Sequence, residues 1–325
     1  MNSPGRGSAA EAADNAGGDW ISAMRAGEFD RAWSITDRHV AAFGRGGDDK
    51  HTGPRHLQRI WRGEELRNRR VLVRCYHGLG DTIQFARFLP PLAERVRELT
   101  VWCQPELLPL IRRLEGVEHA IPLHDGAPDV DFEVDIEIME IPHALRAGRD
   151  LIEMRKPYLT LPPRDMPAHP SKRPALSVGQ VWEVGDWDKR RAIPARLLKQ
   201  LQGEGIKFFS LQRGAAREAA AEIGAEDIST SDIVALGHRM SELDLILSVD
   251  TMVVHLAGAL GHEPWVMLHA DCDWRWPGPG AASIWYPRAR LFHQRAAGEW
   301  EAVIEEVRAA LAIEIRRTGD AVRAP

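Results

Sequence analysis

The stretch Ser248-Val249-Asp250-Thr251-Met252-Val253-Val254-His255-Leu256-Ala257-Gly258-Ala259-Leu260-Gly261 decides the architecture of this chain. An apolar run from Leu243 to Val249, interrupted by Asp244, stops at a carboxylate and a hydroxyl. The pattern then changes to helical spacing, with small residues that permit close packing. It reads as a buried strand feeding a helix whose first turn faces a crevice. Such a helix start offers free N–H groups and the positive end of its dipole, which suits a phosphate or diphosphate. Far upstream, Gly78-Leu79-Gly80-Asp81-Thr82 forms a second strand-to-helix turn. Two such turns on facing sheets predict a donor held between two domains.

Working outward, Val71-Leu72-Val73 and Thr100-Val101-Trp102-Cys103 are strand-like, and Ile83 to Arg95 between them has helical spacing. A helix is predicted from Pro105 to Leu114, and a strand within Asp131 to Ile138. Pro157 to Pro174 is rich in Pro and lacks periodicity, as an interdomain linker does. Beyond it, strands are predicted at Leu176–Trp182, Ile206–Leu211, Leu243–Val249 and Pro264–Leu268. Helices are predicted at Pro194–Leu201, Ala215–Ile223, Asp232–Met240, Thr251–Leu260 and Glu299–Ile313. This alternation implies two open α/β sheets facing each other, with ligands at the carboxyl ends of their strands.

Ahead of them, Trp20 to Phe43 reads as helical: Trp20, Ala23 and Met24 share a face, Gly27 breaks the run, and Phe29, Ala32 and Trp33 begin a second helix. Ala23 to Trp33 resembles the turn of a tetratricopeptide hairpin, but one copy cannot form a solenoid, which takes about three repeats. It is read as a remnant, or as a cap docked on the chain beyond it. The expected organisation is a disordered tail (1–18), a helical hairpin (19–66), a first α/β domain (67–160), a second (161–315) and a tail (316–325).

The bulk composition narrows the function. A net charge of -5 argues against nucleic acid as the main partner. Cys75, Cys103 and Cys272 are too scattered for a disulfide framework or a Cys-based zinc site, so a reducing compartment is the simpler reading. Residues 1–18 lack the apolar core of a signal peptide. The longest apolar candidate, Leu243 to Leu268, carries Asp250, His255, His262 and Glu263, so it is no membrane span. Peripheral membrane contact stays open.

Asp81 is the first candidate for chemistry. A carboxylate at a cleft can accept a proton from a hydroxyl nucleophile. It also fits an N-cap, with Gln84 completing an Asp-x-x-Gln capping box, and both readings stay open. Asp250 could bind sugar hydroxyls and the Thr251 and Met252 N–H groups a diphosphate, or Asp250 could be a cap. His255, one turn into that helix, is either a diphosphate contact or a support. The run Asp188-Lys189-Arg190-Arg191 could neutralise a departing diphosphate or be a solvated loop. Aromatic residues in Asp273-Trp274-Arg275-Trp276-Pro277 and Trp285-Tyr286-Pro287 would suit a sugar or a base, or pack an interface. No His/Cys/carboxylate cluster has metal-ligand spacing.

Six segments, in order, resemble bacterial glycosyltransferases of the heptosyltransferase type (family 9-like). They are closer still to the transferase-like domains that follow tetratricopeptide repeats. The segments are Gly78 to Pro90, Gln104-Pro105-Glu106-Leu107, Phe208-Phe209-Ser210-Leu211-Gln212, the Asp250 stretch, Asp273-Trp274-Arg275-Trp276 and Trp285-Tyr286-Pro287. The resemblance implies a GT-B fold: two facing Rossmann-like domains, a nucleotide-sugar donor held mainly by the second, and no required metal or other cofactor. By the same resemblance Asp81 is the catalytic base, with Gly78 and Gly80 forming the turn where phosphate approaches. The family's donor motif falls on Asp250, Thr251 and His255, and its basic residue on Arg191, with Lys189 in reserve; apart from the resemblance, the Met252 N–H group is assigned to the diphosphate and Gln212, after its strand, to the nucleoside pocket. Two departures stand out. Met252 replaces a small residue, and Trp182-Glu183-Val184-Gly185 replaces Trp-Ala-Gly, placing a carboxylate near the diphosphate.

The expectation is an inverting, metal-independent glycosyltransferase acting from a nucleotide-diphosphate sugar onto a glycan, lipid-linked or protein acceptor, with closure about the Pro157–Pro174 hinge excluding water. It is expected to be cytoplasmic, with room for peripheral contact at the inner membrane face and for a protein partner on the hairpin. The alternative is a non-catalytic nucleotide-sugar or carbohydrate binding scaffold.

Overall fold

The computed structural model describes residues 7–43, 50–164 and 176–323. Two helices, α1 (Gly7–Ala26) and α2 (Phe29–Phe43), form an antiparallel hairpin. Gly27 makes the turn at φ 72°, while the Gly27 and Glu28 N–H groups bond back to Met24 O and Ala23 O. The tail expected over 1–18 is helical from Gly7 onward, where Ala9-Ala10-Glu11-Ala12-Ala13 supplies strong helix formers. Residues 1–6 lie outside the described residues.

The first sheet contains β1 (Arg70–Arg74), β2 (Glu98–Cys103), β3 (His119–Pro122) and β4 (Val134–Glu137), all parallel, in the order β3-β2-β1-β4. Its connections carry α3 (Leu79–Phe85), α4 (Leu89–Ala93) and α5 (Leu108–Ile111); α6 (Ile141–Leu145) and α7 (Arg149–Ile152) follow β4. The helix expected over Pro105–Leu114 is a 3-10 turn running into the short α5, because Pro109 withholds the N–H that would bond to Pro105 O.

The second sheet contains β5 (Leu176–Val181), β6 (Ile206–Ser210), β7 (Ala225–Asp227), β8 (Leu245–Val249), β9 (Trp265–Leu268) and β10 (Arg290–His293). All are parallel, in the order β10-β9-β8-β5-β6-β7, the doubly wound order of a dinucleotide-type fold. Between these strands lie α8 (Ala195–Leu198), α9 (Ile233–Met240) and α10 (Met252–Ala259). The last helix, α11 (Trp300–Arg323), takes in most of the stretch expected as a tail after 315. The Ala215–Ile223 segment is a 3-10 helix over Ala215–Ala220 rather than an α-helix.

Every residue of β5, β8 and β9 is buried, as expected for central parallel strands covered on both faces. The sequence reading missed β3, β7 and β10. Each is a half-exposed edge strand with no apolar run to announce it.

The two domains share apolar packing. One cluster of buried side chains runs from Met24 and Trp33 in the hairpin, through Val73 and Phe85, to Val254 and Trp285. Arg87, 2% exposed, donates from its guanidinium to Ile152 O within the first domain and to Trp285 O across the interface. Tyr158 and Leu159, in the expected hinge, both donate their N–H groups to Ala259 O at the end of α10. Residues 165–175 of that hinge lie outside the described residues. Among the described residues no helix is long and apolar enough to cross a membrane.

Candidate functional site

In both sheets the chain order reverses between two neighbouring strands, β1 and the edge strand β4 in one and the central β5 and β8 in the other. Crevices at such switch points are where ligands bind. The loops after β1, β5 and β8 carry Asp81, Arg191 and Asp250, while Gln212 follows β6 and the Asp273–Pro277 segment follows β9.

Asp81 lies at the third position of α3, not at its cap. Gly78 is the N-cap, and Asp81 Oδ2 accepts the Gly78 N–H at 3.1 Å. Helix α3 starts three residues earlier than the Asp-x-x-Gln pattern implied, because Leu79 and Gly80 are pulled into helical geometry where they pack on α10. A Cβ on Gly80 would lie 2.9 Å from His255 Cδ2 and 3.4 Å from Met252 Cα. The space over Gly80, expected to admit a phosphate, is filled by protein, and the glycine serves helix–helix approach. Gly78, by contrast, is exposed.

Asp81 Oδ1 accepts from Arg275 Nη2 at 2.5 Å. Arg275 also donates to Gln84 Oε1 (2.7 Å) and Asp273 Oδ1 (2.8 Å), and its guanidinium covers the Trp274 ring at 4.5 Å. Its side chain is 10% exposed. Burial opposes its charge, but Asp273 and Asp81 outweigh that and hold its pKa above the ordinary value. Arg275 was missed as a functional residue. Its segment was read for its tryptophans, and the signal was a cation set between two of them in a loop after a strand.

On the second domain, Thr251 rather than Asp250 caps α10, its hydroxyl accepting the Val253 N–H. The N–H groups of Thr251 and Met252 have no hydrogen-bond partner among the described residues. Met252 is partly buried, with its backbone against Gly80. Asp250 is 6% exposed; its backbone carbonyl accepts from Arg191 Nη1 at 3.0 Å, and its carboxylate does so at 3.4 Å. Burial pushes the Asp250 carboxyl up, against the pull of Arg191.

His255 is buried. Its Nδ1 meets the Tyr286 hydroxyl at 2.9 Å, its Nε2 lies 3.9 Å from Asp250 Oδ1, and its ring stacks near Trp276. Burial, then the charges of Arg275, Arg87 and Arg191, drive its pKa well below the ordinary value, so it is neutral near pH 7.

The structure thus brings Asp81, Arg191, Asp250, Thr251, Met252 and His255 to one junction of the two domains. Two predicted residues are turned elsewhere. Lys189 Nζ bonds to Glu183, Asp186 and Val184 O within its own loop. Gln212 Oε1 accepts the N–H groups of Trp182 (3.0 Å) and Glu183 (2.9 Å), and its amide donates to Arg213 O. The Gln212 carboxamide therefore holds the β5 loop in place instead of facing a nucleoside. Among the described residues, the one carboxylate/histidine group at metal-ligand spacing is Glu98, Glu118 and His119. It sits at the opposite, amino ends of β2 and β3.

No family model matches the chain. Protein FlbA of Caulobacter vibrioides is 27% identical over 289 residues, 77% of this chain and 48% of FlbA, so the chain spans about half the length of this relative. Among solved structures, the ADP-heptose LPS heptosyltransferase II of E. coli aligns with a TM-score of 0.50 at 15% identity, over 75% of this chain and 99% of that one. TibC, an iron-containing dodecameric glycosyltransferase of enterotoxigenic E. coli H10407, aligns with a TM-score of 0.53 at 12% identity, over 80% of this chain and 78% of that one. At these identities the likeness is one of fold. The chain has the two-sheet GT-B architecture of heptosyltransferase-type glycosyltransferases, preceded by a helical hairpin.

Proposed function

We propose that this protein is an inverting, metal-independent glycosyltransferase that uses a nucleotide-diphosphate sugar. The observation that carries the reading is the Arg191–Asp250 pair beside the unpartnered Thr251 and Met252 N–H groups, meeting Asp81 across the domain junction. The acceptor hydroxyl gives its proton to Asp81 as its oxygen bonds to the anomeric carbon. The bond from that carbon to the diphosphate breaks on the opposite face, and the electron pair leaves on the diphosphate oxygen. Arg191 and the start of α10 stabilise that charge. Neutral His255 supports Asp250 from inside the helix. The heptosyltransferase fold, and the ADP-heptose in the description of one structure that shares it, favour a nucleoside diphosphate donor. The tetratricopeptide-like hairpin belongs to this reading as part of the acceptor side.

One observation favours a non-catalytic binding protein instead. Both Asp81 oxygens are already engaged, by Arg275 and by the Gly78 N–H. A base held this way acts only if the incoming hydroxyl shares or displaces the Arg275 contact.

A thermal-shift panel of ADP, UDP, GDP and CMP, on wild type and Asp250→Ala, separates the possibilities. A ligand at a hundred times its Kd adds about 2.7 kcal/mol. Stabilisation by one nucleotide, reduced in Asp250→Ala, is expected, as is slow turnover of the matching nucleotide sugar. Binding without turnover in any acceptor mixture selects the binding protein, and no shift from any nucleotide removes both readings.

A further inference from the structure

A cavity of about 380 Å³ lies beneath the hairpin, away from the Arg191–Asp250 pair. That volume is at the small end of ligand pockets, about 300–1,000 Å³. Its roof is Trp20, Met24 and Trp33 from α1 and α2, and its inner wall includes Phe85 and Trp274. The roof indoles offer ring surface and not N–H groups, because Trp20 Nε1 donates to Thr36 and Trp33 Nε1 to Ala147 O. The hairpin is held there from both domains. Asp37 accepts from Arg146, Arg25 donates to Cys272 O, and Trp20 meets Trp274 edge-on at 5.0 Å.

The polar lining has capacity to spare. Gln58 Oε1 and Arg59 Nε are buried and unpartnered. His77 bonds Glu137 through Nδ1 at 3.0 Å, leaving Nε2 with no partner among the described residues. Glu137 is paired with His77, whose charge is opposed by burial but favoured more strongly by Glu137, while burial pushes the Glu140 carboxyl up to about 7 against the pull of Arg59. A phosphate group would meet the two carboxylates. An acyl chain would leave the unpartnered polar atoms stranded at a cost of about 1–3 kcal/mol each. Ring faces, open hydrogen-bonding atoms and near-zero net charge match a neutral saccharide, whose apolar ring face stacks while its hydroxyls bond.

The cavity also leads to the candidate base. Met139 Sδ, in its wall, is 4.0 Å from Arg275 Nη2, the same atom that holds Asp81. We propose that the hairpin-roofed cavity binds a neutral saccharide as the acceptor, with Trp20 and Trp274 against its ring and one hydroxyl sharing the Arg275 contact with Asp81. The acceptor role rests on the transferase reading; saccharide binding itself does not.

The test is a titration of the full chain with neutral methyl pyranosides and disaccharides, followed by saturation-transfer NMR and tryptophan fluorescence, beside the nucleotide panel. At least one saccharide is expected to bind, at least ten-fold more weakly to Trp20→Ala, with affinity largely restored in Trp20→Phe. Cooperative melting of both variants checks that they fold. Saccharide binding with no nucleotide shift would sink the transferase reading and leave this site standing. The site is overturned if nucleotides bind and no saccharide does, or if saccharide binding ignores Trp20→Ala. It is overturned equally if a Ser/Thr peptide, and no saccharide, binds in a Trp20-dependent way.

Discussion

Gln104 and Gln212 stand at equivalent points of the two domains, each just past the second strand of its sheet, and each bonds the loop after the first strand. They do so with opposite polarity. Gln104 donates its amide N–H to Cys75 O and His77 O and accepts from Thr82. Gln212 accepts two backbone N–H groups, from Trp182 and Glu183. The β5 loop has therefore spent the donors that could have met an anion, which leaves that task to Arg191 and the start of α10. The β1 turn keeps its Gly78 N–H for Asp81. The carboxylates differ in the same way. Asp250 pairs with Arg191 inside its own domain, whereas Asp81 pairs with Arg275 from the other. One crevice is complete within its domain; the other is complete only when the domains are docked.

If the β1 crevice supplies the base and the α10 crevice the donor site, single substitutions should separate them. Asp81→Ala should cost about 100- to 10,000-fold in transfer rate, the usual span for a general base, with the nucleotide thermal shift retained. Loss of both together would mean the crevices act as one site. Removing the cross-domain partner comes next. Arg275→Met leaves Asp81 and Asp273, whose side chains are 27% and 36% exposed, without their cation, and denaturant unfolding should show a loss of about 1–3 kcal/mol, partly recovered in Asp81→Asn/Arg275→Met. An unchanged midpoint would show that docking does not depend on this pair.

Gly80→Ala should cost about 1–3 kcal/mol by overpacking α3 on α10, although the same change in a free helix stabilises it. A higher Tm in this variant would mean that the two helices can part.

The smallest effect is in pH dependence, where the two crevices carry histidines shifted in opposite directions. His255 holds its proton less well in the folded chain than in the unfolded one. Its contribution to stability is therefore lost as pH falls below about 6.5. The slope is at most about 1.4 kcal/mol per pH unit. His77 holds its proton better when folded, so its contribution is full below the unfolded pKa and is lost as pH rises through the folded one. Urea midpoints from pH 5 to 8 should show opposite changes of slope in His255→Gln and His77→Gln.

Much of the fold was legible because central strands are continuous apolar runs and their helices repeat with a 3.6 period. Val71-Leu72-Val73 and the Leu243–Val249 run, whose strand is Leu245–Val249, read correctly on that basis, as did the buried Ala23 and Met24 on the first helix of the hairpin. Errors gathered where local rules lost to packing. The Asp-x-x-Gln pattern offered Asp81 as the cap of α3, but contact with α10 draws Leu79 and Gly80 into the helix and makes Gly78 the cap. Gln212 was taken for a ligand contact because a polar residue at a strand end has no local partner in sequence. Its partners are backbone groups on the neighbouring loop.

The sequence by itself determined the strand–helix alternation, the Pro-rich link between two sheets, and the presence of Asp81, Arg191, Asp250 and Thr251 at strand ends. These depend on periodicity, turn chemistry and capping preference, all of which act within a few residues. Only the tertiary structure decided that Arg275 holds Asp81, 194 residues away in the chain, and that the hairpin closes over a cavity beside them. Such contacts arise from how two separately wound sheets dock, and no local spacing carries that information.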